Sequence, residues 1–104
     1  MRESLKFYIN GQWVDPVVLK SLDVENPATE KVCGKVAIGS AADVDKAVKA
    51  ARKAFASWSR TTASDRIEIL QNILAEYQKR AGDLAAALTE EMGAPAYLAN
   101  GFQV

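Results

Sequence analysis

The stretch FYINGQWV, Phe7–Val14, decides how this chain begins to fold. It sets Asn10-Gly11 between apolar and aromatic residues. Asn-Gly is the strongest short signal for a β-hairpin, because a type I′ turn needs positive φ at both central positions. Tyr8-Ile9 and Trp13-Val14 are then the paired arms. Asp15-Pro16 ends the second arm, since proline has no N–H for the ladder.

A second turn follows in the stretch ENPATE, Glu25–Glu30. Pro27 sets a φ near −65° that suits a turn, and the side chain of Asn26 can bond the backbone two residues on. The residues on either side, Leu22–Val24 and Lys31–Val36, have roughly alternating polarity. The sequence therefore predicts two short hairpins within about residues 7–37.

An amphipathic helix is predicted after the hairpins, at about residues 41–57. Ser40 followed by Asp43 resembles a capping box, in which the hydroxyl accepts from a free backbone N–H of the first turn. Apolar residues then recur at three- and four-residue spacing, as expected for one buried helix face. They are Val44, Ala47, Val48, Ala51, Phe55 and Trp58.

A longer helix is predicted at 63–92, because Thr62 and Asp65 repeat the capping pattern and Gly93 suits the position after a helix end. Gly82 costs about 1 kcal/mol against alanine in mid-helix. The apolar stripe fits either a coiled-coil seam or packing inside one domain. Its members are Ile67, Leu70, Leu74, Tyr77, Ala81, Leu84, Leu88 and Met92.

A third helix is predicted from Pro95 onward, at 95–104, with Tyr97, Leu98, Gly101 and Phe102 along one side. The sequence stops at Val104 without a cap or a polar tail. Because a short helix with an uncovered apolar side is marginal alone, we expect the chain to be a truncation of a longer one.

Composition excludes several classes of function. The 104 residues suffice for one small domain, and 49% hydrophobic with 25% charged residues is typical of a globular protein. With 13 basic and 13 acidic side chains, the chain has no charge excess to favour nucleic acid. No apolar run reaches the roughly 18 residues of a membrane span, and no secretory signal is visible.

The residue types needed for most nucleophilic or metal chemistry are missing. The chain has no histidine and one cysteine, which excludes Ser-His and Cys-His pairs, His-ligated metals and an internal disulfide. A lone cysteine fits a reducing cytoplasm. We expect Cys33 to be a half-buried structural thiol, because a reactive cysteine needs an electropositive and accessible setting.

Two further motifs have simple structural explanations. Gly34 and Gly39-Ser40 have the spacing of a phosphate loop without the lysine that should follow, so a strand end and a helix cap explain them better. Glu90 and Glu91 could form an acid/base pair, but neighbours on a helix point about 100° apart, which favours a solvated face.

In order along the chain, these segments resemble the N-terminal part of an aldehyde dehydrogenase. The resemblance covers Phe7 to Val104. The order of the matching segments is more specific than any one motif. A departure is Glu30, where the family often has glycine. The matching segments are Tyr8–Val14, Asn26–Thr29, Val32–Ala37, Asp43–Val48, Ala50–Phe55, Trp58, Asp65–Ile67, Leu70 and Glu91–Pro95.

The resemblance implies a parent enzyme that oxidises an aldehyde to an acid with NAD or NADP, through a cysteine thiohemiacetal that an activated water then releases. It implies that the nucleophile, the catalytic glutamate and the nucleotide turn lie outside these 104 residues. No catalytic, cofactor-binding or metal residue is therefore assigned, and the chain alone is expected to be inactive. Some members bind a cation through backbone carbonyls, here near Val24-Glu25, which is not claimed as a site.

The expected fold is α+β: two short hairpins, two long amphipathic helices and the start of a third, forming one partial domain of an α/β NAD-binding domain without its parallel sheet. We expect the hairpins to pack near the first helix and to bury Trp13, Val36, Phe55 and Trp58. Uncovered helix faces predict self-association, with no nucleic-acid or membrane partner. The alternative function is a free-standing helical interaction or oligomerisation module without activity.

Overall fold

The computed structural model describes residues 1–104. Its strands are β1 (Arg2–Ser4), β2 (Phe7–Ile9), β3 (Gln12–Val14), β4 (Ser21–Asn26) and β5 (Lys31–Ala37). Its helices are α1 (Ala41–Trp58), α2 (Ala63–Met92) and α3 (Ala96–Leu98), and a π-helix follows at Ala99–Gln103. Contacts divide the chain into a first unit, residues 1–24 with 32–60, and a second unit, residues 25–31 with 61–104.

The β2–β3 hairpin of the first unit has the predicted turn. Asn10 and Gly11 have φ of 55° and 77°, so both central positions are left-handed, as a type I′ turn requires. Tyr8 lies opposite Trp13 in the antiparallel register, and their ring centroids are 5.2 Å apart at an interplanar angle of 57°. This tilted contact stabilises the hairpin beyond its backbone hydrogen bonds.

The remaining three strands form a sheet in the order β1-β5-β4. β5 pairs in parallel with β1, where Arg2 lies opposite Gly34. β1 was not predicted from the sequence, because its three residues show no alternation and its partner strand is distant in the chain. A four-residue connection is too short for a parallel crossover, so β4 and β5 form the second predicted hairpin.

The turn between β4 and β5 is built around the predicted asparagine. The Oδ1 atom of Asn26 accepts from the backbone N–H of Ala28 at 2.9 Å, as expected for this residue in a turn. Glu30 then adopts a left-handed φ of 56°, a conformation that normally favours glycine. Glu30 donates its N–H to the carbonyl of Asn26 at 2.8 Å, which closes the turn.

The predicted burial of four side chains in the first unit is wrong. Trp13, Val36, Phe55 and Trp58 are 68%, 36%, 55% and 45% exposed. β2 does lie against the start of α1, and a Cβ on Gly39 would be 3.5 Å from the ring of Phe7. That contact is small, and no further layer of the chain covers the apolar side of α1.

The second unit contains one long helix and a short C-terminal segment. α2 is continuous over 30 residues despite Gly82, and Gly93 ends it with a left-handed φ of 73°. The predicted third helix is only partly right, since α3 has three residues before the chain changes to a π-helix. The buried apolar residues here are Ala85, Ala94 and Ala99, with Leu88 and Val104 packed against them.

Most of the α2 stripe is solvent-exposed. Leu70 and Leu74 are 63% and 55% exposed, and Met92 is 69% exposed. Other residues of this chain cover only the last turns of the stripe, near Leu88. Packing within the chain therefore does not account for the rest of the stripe. Neither long helix has an uncharged apolar window of the kind that crosses a membrane.

Candidate functional site

The buried carboxylate of the molecule lies at the N-terminus of α1. Asp43 is 5% exposed. Its Oδ2 atom accepts from the backbone N–H and the hydroxyl of Ser40 at 2.8 Å and 2.9 Å. Its Oδ1 atom accepts from the backbone N–H of Val17 at 2.9 Å, which ties α1 to a segment 26 residues earlier.

These donors explain the ionisation of Asp43. The backbone hydrogen bond from Ser40 lowers the pKa of the carboxyl most, and the bond from Val17 lowers it further. A carboxylate that is held ionised by fixed donors cannot serve as a general acid near neutral pH. The role of Asp43 is therefore to cap α1 and to fix the chain around Val17.

Cys33, the one thiol, lies on β5 and is half-buried. Its Sγ donates to the carbonyl oxygen of Val24 at 3.4 Å, across the β4–β5 hairpin. The nearby Lys35 forms an ion pair with Asp23 at 3.8 Å. The thiol thus has a structural partner within the hairpin, the carbonyl oxygen of Val24.

The glycines with phosphate-loop spacing have structural explanations. A Cβ on Gly34 would lie 2.9 Å from the carbonyl oxygen of Arg2, so the parallel pairing of β1 requires glycine at this position. Gly39 lies against the ring of Phe7. The hydroxyl of Ser40 is held by the carboxylate of Asp43. These residues form a sheet contact and a helix cap, and they do not fit a nucleotide phosphate.

An open groove of about 500 Å³ lies in the second unit. Its walls combine small side chains with two amides, one hydroxyl and one carboxylate. Glu90 lies in this groove, whereas Glu91 is exposed, so the two glutamates do not share a surface. The lining residues are Asn26, Ala28, Gly82, Ala85, Ala86, Thr89, Glu90, Ala96 and Asn100.

A second open groove, of about 430 Å³, lies in the first unit between the β2–β3 hairpin and α1. Its charged residues are all basic, and its walls contain no cysteine or acidic residue. It could attract anions but could not supply a nucleophile and base. The lining residues are Ile9, Asn10, Gln12, Val14, Lys46, Lys49, Ala50 and Lys53.

The structure contains no group of three or more acidic, cysteine or histidine side chains that could hold a metal ion. The cap of α1 was predicted from the sequence, whereas the hydrogen bond from Val17 to Asp43 was not. No local signal could have revealed that bond, because Ser40 and Asp43 already form a complete capping box between them.

Comparison with known proteins identifies what shares this fold. A family model described as the aldehyde dehydrogenase family matches residues 13–104. The 3-succinoylsemialdehyde-pyridine dehydrogenase of a Pseudomonas species is 46% identical over 95 residues, which are 91% of this chain and 20% of that protein.

Two solved structures contain a segment folded in the same way. An aldehyde dehydrogenase from Bartonella henselae is 43% identical with a TM-score of 0.96, over 99% of this chain and 22% of that one. Aldehyde dehydrogenase C from Pseudomonas syringae, in complex with NAD+ and octanal, is 48% identical with a TM-score of 0.94, over 97% and 21%. The chain thus spans about a fifth of the length of these relatives.

Proposed function

The chain belongs to the aldehyde dehydrogenase family, and we propose that it is the N-terminal scaffold of an enzyme that oxidises an aldehyde to a carboxylic acid with NAD or NADP. The observation that carries the proposal is the match of the whole fold to one segment of much longer dehydrogenases, at a TM-score of 0.96. The crystal structure of a relative with NAD+ and octanal supports the cofactor and the substrate class.

In this proposal the residues of the chain support the structure of the parent enzyme and take no part in its reaction. The catalytic cysteine that forms the thiohemiacetal belongs to another part of the parent. Cys33 is occupied by its bond to the carbonyl of Val24. Asp43 holds three donors of its own unit. We therefore assign no catalytic, cofactor-binding or metal-binding residue to this chain and expect it to be inactive alone.

The exposed apolar surfaces support a scaffold role within a single larger domain. Phe55 and Trp58 of α1 are half exposed, and the stripe of α2 is uncovered over most of its length. Isolated soluble domains rarely leave such surfaces in water. In the parent, these faces cover surfaces that the rest of the subunit supplies.

The same surfaces support a second property of the chain on its own, which is self-association. They also favour the second candidate function, a helical oligomerisation module without activity. Reading the coding sequence past Val104 separates the two candidates. A frame that continues to a glycine-rich turn, a glutamate and a Gly-Gln-x-Cys motif supports the enzyme, and an immediate stop codon in the native gene supports the module. A cytoplasmic location is proposed with either candidate.

A segment exchange tests the scaffold proposal directly. The matched 95 residues of the Pseudomonas 3-succinoylsemialdehyde-pyridine dehydrogenase are replaced by those of this chain. We expect the chimaera to reduce NAD with that enzyme's aldehyde, measured as NADH absorbance, and the isolated chain to give only the uncatalysed rate. Cys33→Ser in the chimaera is the matched control and keeps its activity, because the thiol is structural.

Either of two results would overturn the proposal. One is turnover by the isolated chain, which would place catalytic residues within it. The other is a chimaera that is folded by circular dichroism and binds NAD, yet is inactive.

A further inference from the structure

The groove between the β2–β3 hairpin and α1 has two walls of different character. One wall is the hairpin, where Ile9 and Val14 are half-buried and Gln12 lies opposite Ile9 in the register. The other wall is one face of α1. Both walls lie within the first unit. We call the three basic residues of the α1 wall the lysine row: Lys46, Lys49 and Lys53.

The lysine row lies on the side of α1 that is opposite its apolar stripe. Successive residues of an α-helix turn by about 100° around its axis, so the centre of the row lies about 180° from the centre of the six-residue stripe. A surface of the parent that covers the stripe therefore lies on the far side of the helix from the groove. The groove does not depend on the uncovered apolar faces of the chain.

The charge of the groove is positive throughout. Its lining residues include the lysine row and no carboxylate. Asp43 lies three residues before Lys46, but its carboxylate accepts from Ser40 and Val17. The pKa of Asp43 is lowered mainly by the backbone hydrogen bond from Ser40, and Lys46 contributes least. An anion in the groove therefore meets three ammonium groups without a carboxylate among the lining residues.

The shape of the groove favours an extended anion. Lys46 and Lys53 are seven residues apart, which is about 10 Å along the helix, and Lys49 lies between them. Ammonium groups bind phosphate as point charges, and a linear chain of phosphates places a negative charge beside each of them. An extended peptide spans only about three residues in this length, so an acidic peptide places few carboxylates there.

The opposite wall adds neutral donors. The side-chain amides of Asn10 and Gln12 line the groove, and each amide has two N–H groups that can donate to phosphate oxygens. The volume of about 430 Å³ is within the range of small-molecule sites.

We propose that this groove is a binding site for a linear polyphosphate anion, which the lysine row attracts and the amides of Asn10 and Gln12 orient. The site is separate from the dehydrogenase reaction proposed above, and its occupation does not require that activity.

Calorimetric titration of the full chain with inorganic tripolyphosphate tests the site. We expect saturable one-to-one binding that weakens as salt is raised. Replacing all three residues of the lysine row by glutamine weakens it by roughly 30-fold or more, since each ammonium contributes its own charge interaction. These side chains are exposed, so circular dichroism of the variant should show full helicity.

The matched control removes the same charge elsewhere. It combines Lys20→Gln, Lys31→Gln and Lys79→Gln, whose side chains are also exposed and lie outside the groove. We expect its affinity to stay within about twofold of that of the unchanged chain. Equal weakening in the two triple variants would overturn the proposal, because it would show attraction by net charge alone.

A single substitution tests the hairpin wall. Asn10→Asp keeps the turn, because Asp-Gly also forms a type I′ turn, and it places a carboxylate in the groove. We expect tripolyphosphate to bind roughly fivefold more weakly. Asn72→Asp, at an exposed position of α2, adds the same charge to the second unit and leaves the affinity unchanged. An unchanged affinity in Asn10→Asp would show that the anion does not lie in this groove.

Two further probes test the class of ligand. We expect tripolyphosphate to bind more tightly than orthophosphate and than a hexaglutamate peptide. Equal affinity for orthophosphate would overturn the extended ligand, and tighter binding of hexaglutamate would make the partner an acidic peptide. The same titration is made on the chimaera. A folded chimaera that does not bind tripolyphosphate overturns the site in the parent, whereas one that binds it and is inactive overturns only the proposed function.

Discussion

The N-termini of α1 and α2 carry the same local motif with different structural roles. Ser40 with Asp43 and Thr62 with Asp65 are both complete capping boxes. Asp65 bonds only within its own box and is exposed. Asp43 is buried and also accepts from Val17, so its cap is part of the tertiary structure. A capping motif in the sequence thus shows where a helix starts, and the surrounding tertiary structure determines how much stability the cap contributes.

Replacing each aspartate by alanine is the test of this difference with the largest expected effect on stability. Asp43→Ala loses the cap and the link to Val17, whereas Asp65→Ala loses a cap alone. We expect the drop in the thermal unfolding midpoint to be roughly twice as large for Asp43→Ala. Circular dichroism at one fixed protein concentration measures both. Asp45→Ala, a nearby exposed position of α1, is the control, and equal drops for the two variants would contradict the comparison.

The same contrast between tertiary and local constraint predicts opposite effects of alanine at two glycines. Gly34→Ala places a Cβ 2.9 Å from the carbonyl oxygen of Arg2, so we expect the free energy of unfolding to fall by about 1–3 kcal/mol. Gly82→Ala meets nothing within 4 Å, and we expect a gain of about 1 kcal/mol. Urea unfolding measures both. A loss at Gly82 would show that α2 is constrained there.

The pH dependence of unfolding gives the comparison of the two caps with the smallest expected effect. The pKa of Asp43 and that of Asp65 are lowered, mainly by backbone hydrogen bonds from Ser40 and Thr62 respectively. Each carboxylate therefore stabilises the fold above its unfolded pKa, near 3.9, and that stability is lost as pH falls through the lower folded value. We expect Asp43→Asn to flatten the decline of the unfolding midpoint below about pH 4 more than Asp65→Asn does. Identical pH profiles would contradict the extra donor on Asp43.

Local sequence chemistry predicted the parts of the fold that depend on near neighbours. Asn10-Gly11 forms its type I′ turn, and Asn26 bonds the turn that follows it. α1 begins at the predicted residue and ends one residue later than predicted, and α2 has the predicted bounds of 63–92. Each of these features depends on residues within four positions of each other.

The features that were missed depend on distant residues. β1 exists because β5 offers a parallel edge some 32 positions away, which no pattern in Arg2–Ser4 reveals. The predicted burial of Trp13 and Trp58 assumed that apolar residues of a short chain find cover within it. The hydrogen bond from Val17 to Asp43 was missed for the same reason, since only the tertiary structure brings these two residues together.

The alanine core of the second unit has a consequence for the timing of its motions. Ala85, Ala94 and Ala99 hold the C-terminal segment to α2, and each buries little more than a methyl group, worth roughly 0.8 kcal/mol. Detachment of residues 96–103 therefore needs far less free energy than unfolding of the 30-residue helix. Amide protons of this segment should exchange with solvent well before those in the middle of α2, so the end of the chain opens and closes many times while the helix stays intact.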